Sequence, residues 1–192
     1  MKKILTIILL IVAVSFSYSQ ESKAYLGIGV GYAMPGGEEG DYMENGIDLQ
    51  LVNFGYRFTY TWGLTVNLTS SGHVDEDVED WVYGIGVLSA GPMISFPVGN
   101  MTWDLKPQYV INMAGKADYG GGIEDETWKG NGFLIGNSLV FGDGGKGFTW
   151  SVNLDYLMGK FNEVEYEGET YDLSDDLEFN KFSVGVGVRY NF

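Results

Sequence analysis

Residues Phe182 to Phe192 read FSVGVGVRYNF, and their alternation is complete. Phe182, Val184, Val186, Val188, Tyr190 and Phe192 fall on one face, and Ser183, Gly185, Gly187, Arg189 and Asn191 on the other, because strand side chains alternate with period 2. A soluble strand frays at a chain end, whereas a transmembrane barrel pairs every strand and sets aromatics at the interface. The stretch is therefore expected to be the closing strand of a membrane barrel, with Tyr190 and Phe192 as its outward insertion signature.

The first strand, expected over residues 24–34, answers it. Leu26, Ile28, Val30 and Tyr32 oppose Gly27, Gly29 and Gly31, just as Gly185 and Gly187 lie on the polar side of the last strand. First and last strands of a closed barrel are neighbours, so these glycines predict a low-walled sector of the lumen. Gly27-x-Gly29-x-Gly31 lacks the order and following helix of a dinucleotide site, and the glycine run Gly142 to Gly147 lacks the Lys-Ser/Thr ending of a phosphate loop.

Between these ends, clean alternation recurs at residues 62–69 and 148–158. Asp48 and Arg57 share the polar parity of a second strand, provided that one extra residue near Val52 restores phase. The fourth strand, residues 81–96, has Tyr83, Ile85 and Val87 on one parity and Ile94 and Phe96 on the other, which predicts a bulge near Pro92. Pro92 and Pro107 are expected to oppose each other, gathering two missing N–H donors at one place. Residues 130–142 are apolar on both parities and carry no orientation.

The expectation is an all-β chain: a transmembrane eight-stranded antiparallel up-and-down β-barrel with short periplasmic turns and long acidic extracellular loops. The loops are read at residues 35–45, 70–80, 115–128 and 160–178, and hold 21 of the 26 acidic residues. Residues 1–19, with Lys2 and Lys3 before an apolar run and Ser17 and Ser19 before the cut, read as a signal peptide, leaving residues 20–192 as the barrel. Losing Lys2 and Lys3 moves the net charge from −15 to −17. Such acidity speaks against a nucleic-acid partner, and the absence of cysteine excludes disulfides.

Charge on the polar parity separates a membrane barrel from a soluble one, whose interior would be apolar. Arg57, Lys106 and Arg189 balance Asp48, Asp104 and Asp155, three against three, as a lumen polar network. An eight-stranded barrel is just wide enough for its side chains to fill it, so a structural plug is preferred over an ion path. No catalytic or metal site and no cofactor is assigned. His73 with Ser70, Ser71 and Asp75 has the residue types of a hydrolase but is read as lying in a loop. The loop carboxylates suit Ca²⁺ or Mg²⁺, without the spacing of an EF-hand.

The Asn53-Phe54-Gly55-Tyr56-Arg57-Phe58 run, the Trp103-Asp104-Leu105-Lys106-Pro107 run and the terminal Val188-Arg189-Tyr190-Asn191-Phe192 resemble the OmpA/OmpX-like small outer-membrane β-barrel domain family. The resemblance implies a multi-pass location in the cell outer membrane and handling by the outer-membrane insertion machinery. A monomer in contact with outer-membrane lipid and lipopolysaccharide is expected. The function expected is non-catalytic, in envelope structure or surface interaction. A narrow channel or a lipid-modifying enzyme is the alternative.

Overall fold

The computed structural model describes residues 23–38, 40–78, 81–120, 126–142, 145–166 and 169–192. The signal peptide and its cleavage point, and loop carboxylates such as Glu39, Glu79, Asp80, Glu124, Asp125 and Glu167, lie outside the described residues. Eight strands form one closed antiparallel barrel in sequence order: β1 Ala24–Gly36, β2 Gly46–Arg57, β3 Trp62–Val74, β4 Val82–Val98, β5 Met101–Asp118, β6 Glu126–Phe141, β7 Gly147–Tyr166 and β8 Glu169–Asn191. No helix is long and apolar enough to cross a membrane, which says nothing of a barrel that crosses with strands.

Closure runs through the two glycine faces. β1 and β8 pair from Tyr25↔Asn191 to Gly36↔Asn180, with Gly29 opposite Gly187 and Gly31 opposite Gly185. A Cβ on Gly31 would sit 2.6 Å from the Val184 carbonyl oxygen, and one on Gly185 2.6 Å from that of Val30, so this close seam requires glycine. The phase change in β2 is a bulge at Leu51, where the register against β3 shifts between Gln50 and Val52. Leu49 and Leu51 stay outside while Gln50 and Asn53 stay inside.

The bulge expected at Pro92 does not exist. From Tyr83 to Ser95 the odd-numbered residues of β4 point inward throughout, Tyr83, Ile85 and Val87 among them. What changes along β4 is the polarity of the interior. The shift lies instead on β5, between Val110 and Met113, which leaves Ile111 and Asn112 both exposed and turns Met113 inward. The registers Ala90↔Tyr109 and Ile94↔Leu105 do bring Pro92 opposite Pro107. β6 is now oriented, with Trp128, Leu134, Ser138 and Val140 inside and Phe133, Ile135 and Phe141 outside.

Much of what reads as loop is ladder. β3 continues to Val74, β5 to Asp118, and the β7–β8 pair to Tyr166↔Glu169. These extensions enclose an apolar core of Tyr83, Ile85, Met113, Trp128, Phe161 and Phe179, into which Met43 of the β1–β2 connection inserts. Below it the lumen is polar. The outside inverts in step: Leu26 to Tyr32, Leu64 to Leu68, Leu154 to Met158 and Phe182 to Val186 form an exposed apolar band, while Lys116, Lys160 and Glu178 stand outside the extension. Burial of apolar groups against lipid below and against one another above accounts for both patterns.

At the short-turn end the band closes in aromatic pairs. Phe96 lies 5.2 Å from Trp103, Phe148 5.0 Å from Tyr190, and Tyr190 5.3 Å from Phe192, ring centre to ring centre. Tyr190 and Phe192 both face outward, as expected. Gly99 takes φ 60° in the tight β4–β5 turn.

Candidate functional site

The polar lumen is built in tiers from inward positions of all eight strands. Lowest is Asp104 on β5, fully buried, which takes two arginines at once. Arg57 Nη2 donates to its Oδ1 and Oδ2 at 3.0 and 3.1 Å, and Arg189 Nη1 to Oδ2 at 2.7 Å. Ser95 on β4 donates to Oδ1 at 2.6 Å and accepts from Arg57 Nε at 2.9 Å. Tyr25 lies beneath, its ring 4.4 Å from the Arg189 guanidinium carbon and 5.8 Å from that of Arg57. One carboxylate thus serves two guanidiniums, whose excess charge rests against an aromatic face.

The middle tier is carried by amides and hydroxyls. Gln108 accepts from Asn67 at 2.8 Å and from Ser89 at 3.1 Å. Lys106 is fully buried and donates to Ser138 at 2.7 Å, without an ion pair. Asp155 likewise has no ion pair among the described residues.

Higher still, Lys181 of β8 donates to Asp48 at 2.5 Å and to Ser71 at 3.2 Å. Ser71 reaches His73 Nε2 at 3.0 Å, and His73 Nδ1 lies 3.0 Å from the Glu44 carbonyl oxygen. A carbonyl can only accept, so Nδ1 carries the proton and Nε2 accepts from Ser71. Ser71 and His73 are therefore strand residues, each 2% exposed, and not members of a loop. Ser70 is on the opposite parity, and Asp75 is engaged elsewhere, accepting from Tyr83 at 2.7 Å. That hydroxyl, with the Asp77 and Val78 amides, holds the half-buried Asp75 carboxyl below its ordinary range. The four residues do not converge on a reachable nucleophile.

All six predicted network residues point inward, but their pairing differs from the balance expected. Arg57 and Arg189 share Asp104, Asp48 belongs to Lys181, and Lys106 and Asp155 stand outside the ion pairs. Lys181 makes the lumen count four basic against three acidic residues. It was missed because the strand was read as starting at Phe182, although Lys181 shares the inward parity of Ser183 and Gly185. Ser95 and Tyr25 carried no signal of their own, since a serine or tyrosine on the inward parity is ordinary. Among the described residues no three His, Cys, Asp or Glu side chains gather in a way that could hold a metal.

No protein-family model matches the chain, and no curated protein matches its sequence. Solved structures do match. Neisserial surface protein A is similar over 91% of this chain and 100% of its own, with a TM-score of 0.60 at 15% identity. Ail, the attachment invasion locus protein of Yersinia pestis, in complex with the heparin analogue sucrose octasulfate, is similar over 88% of this chain and 99% of its own, with a TM-score of 0.52 at 16% identity. Likeness at this identity speaks for the fold. The chain is an eight-stranded antiparallel barrel closed in sequence order, and it shares the fold of these outer-membrane proteins.

Proposed function

We propose that the protein is an integral outer-membrane barrel, neither enzyme nor channel, that serves envelope structure and surface interaction through its acidic outer strands. The observation that carries this reading is how the lumen is filled. Asp104 with its two arginines lies at one end, and the apolar core around Phe161 and Phe179 at the other. A diffusing ion would have to part a doubly paired carboxylate and then a desolvated aromatic cluster, both costly in so narrow a barrel.

The interaction surface is the β7–β8 extension, where Glu163, Glu165, Glu169, Asp172, Asp175, Asp176 and Glu178 follow one another along two paired strands. Lys129 answers Glu165 at 2.8 Å and Lys160 answers Asp176 at 3.5 Å, both partly exposed, so the net field stays negative and these pairs add little stability. A polysulfate such as the one bound to Ail has the wrong sign for this surface. Cationic partners fit it, including divalent cations bridging to lipopolysaccharide phosphates. Lipid and lipopolysaccharide contact the apolar band, and the outer-membrane insertion machinery is the partner during biogenesis, with Tyr190 and Phe192 as the outward aromatics it meets. The barrel is monomeric in this account.

Two measurements test it together. Purified protein in planar bilayers is expected to give no steps of conductance, and cells that display it to bind fluorescent poly-lysine more than cells that do not. Replacing the seven extension carboxylates by amides removes the gain. Stable conductance in the bilayer, or poly-lysine binding indifferent to those carboxylates, overturns the reading.

A further inference from the structure

Where β1, β2, β7 and β8 meet, the lumen keeps a cavity of about 10 Å³ lined by Asp48, Gln50, Asn153, Asp155 and Ser183. That is about the space one water-sized particle needs. Its origin is the glycine seam, because Gly29, Gly31 and Gly185 form its wall and send no side chain into it. The chemistry of the lining is one-sided. Two carboxylates, two carboxamides and a hydroxyl turn to it, and no lysine or arginine lines it.

Two of these groups lack a partner. Asn153 Oδ1 and Ser183 Oγ have no hydrogen-bond partner, although the residues are only 6% and 5% exposed. A buried acceptor left unmet is costly, so two at one cavity point to something held there. Charge says what. Asp48 is paired with Lys181, but Asp155 is in no ion pair among the described residues, since Lys106, across Gly136 in the same register row, turns its amine to Ser138. The lining itself thus presents two carboxylates and no ammonium, one of the carboxylates outside any ion pair.

We propose that this cavity is a binding site for a single small monovalent cation of the size of sodium, held by Asp155, Asp48, Asn153 Oδ1 and Ser183 Oγ, with Gln50 beside them. Hard cations take oxygen ligands, and every candidate ligand here is oxygen. A divalent ion would overshoot the charge of the one carboxylate that is in no ion pair. The bound ion neutralises Asp155 and satisfies both orphaned groups, so it ties β7 and β8 to β2 across the seam where the barrel closes.

The test uses the whole barrel refolded in detergent at fixed pH and fixed chloride, with sodium replaced stepwise by N-methyl-D-glucamine. Sodium is expected to raise the thermal midpoint saturably by about 3–6 °C and to show an exchange-broadened ²³Na resonance. Asp155→Asn is expected to abolish both effects, and Ser183→Ala, which removes only a hydroxyl, to weaken the affinity several-fold in a barrel that still folds. Equal midpoints and an unbroadened resonance in every salt mean that the cavity holds water, and the proposal falls. It also falls if both sodium effects persist undiminished in Ser183→Ala and Asp155→Asn, since the ion then sits on the acidic outer strands.

Discussion

Replacing Asp104 by Ala is the perturbation whose cost can be worked from the structure. The carboxylate is fully buried, receives Arg57 and Arg189 at 2.7 to 3.1 Å, and holds Ser95 at 2.6 Å. Removing one partner of a buried pair typically costs ~3–5 kcal/mol, because the charge left behind has lost water and gained nothing. Two guanidiniums are stranded here. Arg57 is 12% exposed at its side chain and can recover some water, while Arg189 is 3% exposed and cannot, so the upper part of that range applies. For a chain of this length that corresponds to a fall of roughly 8–16 °C in the thermal midpoint. The structure also says which second change repairs the damage. Asp104→Ala with Arg189→Met removes the deeply buried charge and is expected to be more stable than Asp104→Ala alone. Asp104→Ala with Lys106→Met is expected to be no better than additive, because Lys106 is bonded to Ser138 and not to Asp104. Urea unfolding in detergent of the wild type, the three single variants and the two double variants measures all terms. If Asp104→Ala falls within about 1 kcal/mol of wild type, or Lys106→Met repairs it as well as Arg189→Met does, the network is wrongly built.

Four further outcomes rest on the same geometry. Deleting Phe192 is expected to reduce assembly in cells far more than refolding in detergent, because its exposed ring packs only at the band's edge against Tyr190; equal loss in both assays would assign it a packing role. Phe161→Ala, in the apolar core of the outer extension, should cost about 3–5 kcal/mol even in detergent, as a large ring leaves a cavity there. Val66→Arg, on the band, should cost about 2–4 kcal/mol in a bilayer, and both values come from unfolding titrations. Asp75 is expected to titrate below the ordinary carboxylate value and to move back towards it in Tyr83→Phe, seen by NMR of the carboxyl carbon. The stability it lends is full above the unfolded value and is lost as pH falls through the lowered folded one, so an unshifted Asp75 contradicts the contact.

How much of this was legible in the sequence depends on one physical fact. Alternation reports which residues share a face, not which solvent that face meets. Where the outside is lipid and the inside polar, as at Phe182 to Phe192 or Phe148 to Met158, the pattern and the polarity agree, and strand, face and inward charges can all be read. In β4 the strand leaves the bilayer near Leu88 and the inside becomes apolar, so Tyr83, Ile85 and Val87 read as lipid-facing and a bulge is invoked to reconcile them with Ile94 and Phe96. The same inversion hides strand in the loops, because Glu163 to Glu178 has the composition of a solvated loop while pairing as a ladder. The network residues were legible as a set, since mid-strand charge in a membrane barrel has few places to go. Their pairing was not, because Arg57, Asp104 and Arg189 come from β2, β5 and β8, and only the closed ring brings them together.

A chain without cysteine permits a direct measurement of that inversion. Single cysteines placed at each position of β4 from Val82 to Val98, nitroxide-labelled and read for oxygen and for water-soluble nickel collisions in lipid bilayers, report lipid, water or protein surroundings residue by residue. High oxygen access is expected at Leu88, Ala90, Pro92, Ile94 and Phe96, nickel access at Val82, and protection from both at Tyr83, Ile85 and Val87. High oxygen access at Tyr83, Ile85 and Val87 would place them in lipid and contradict the inversion.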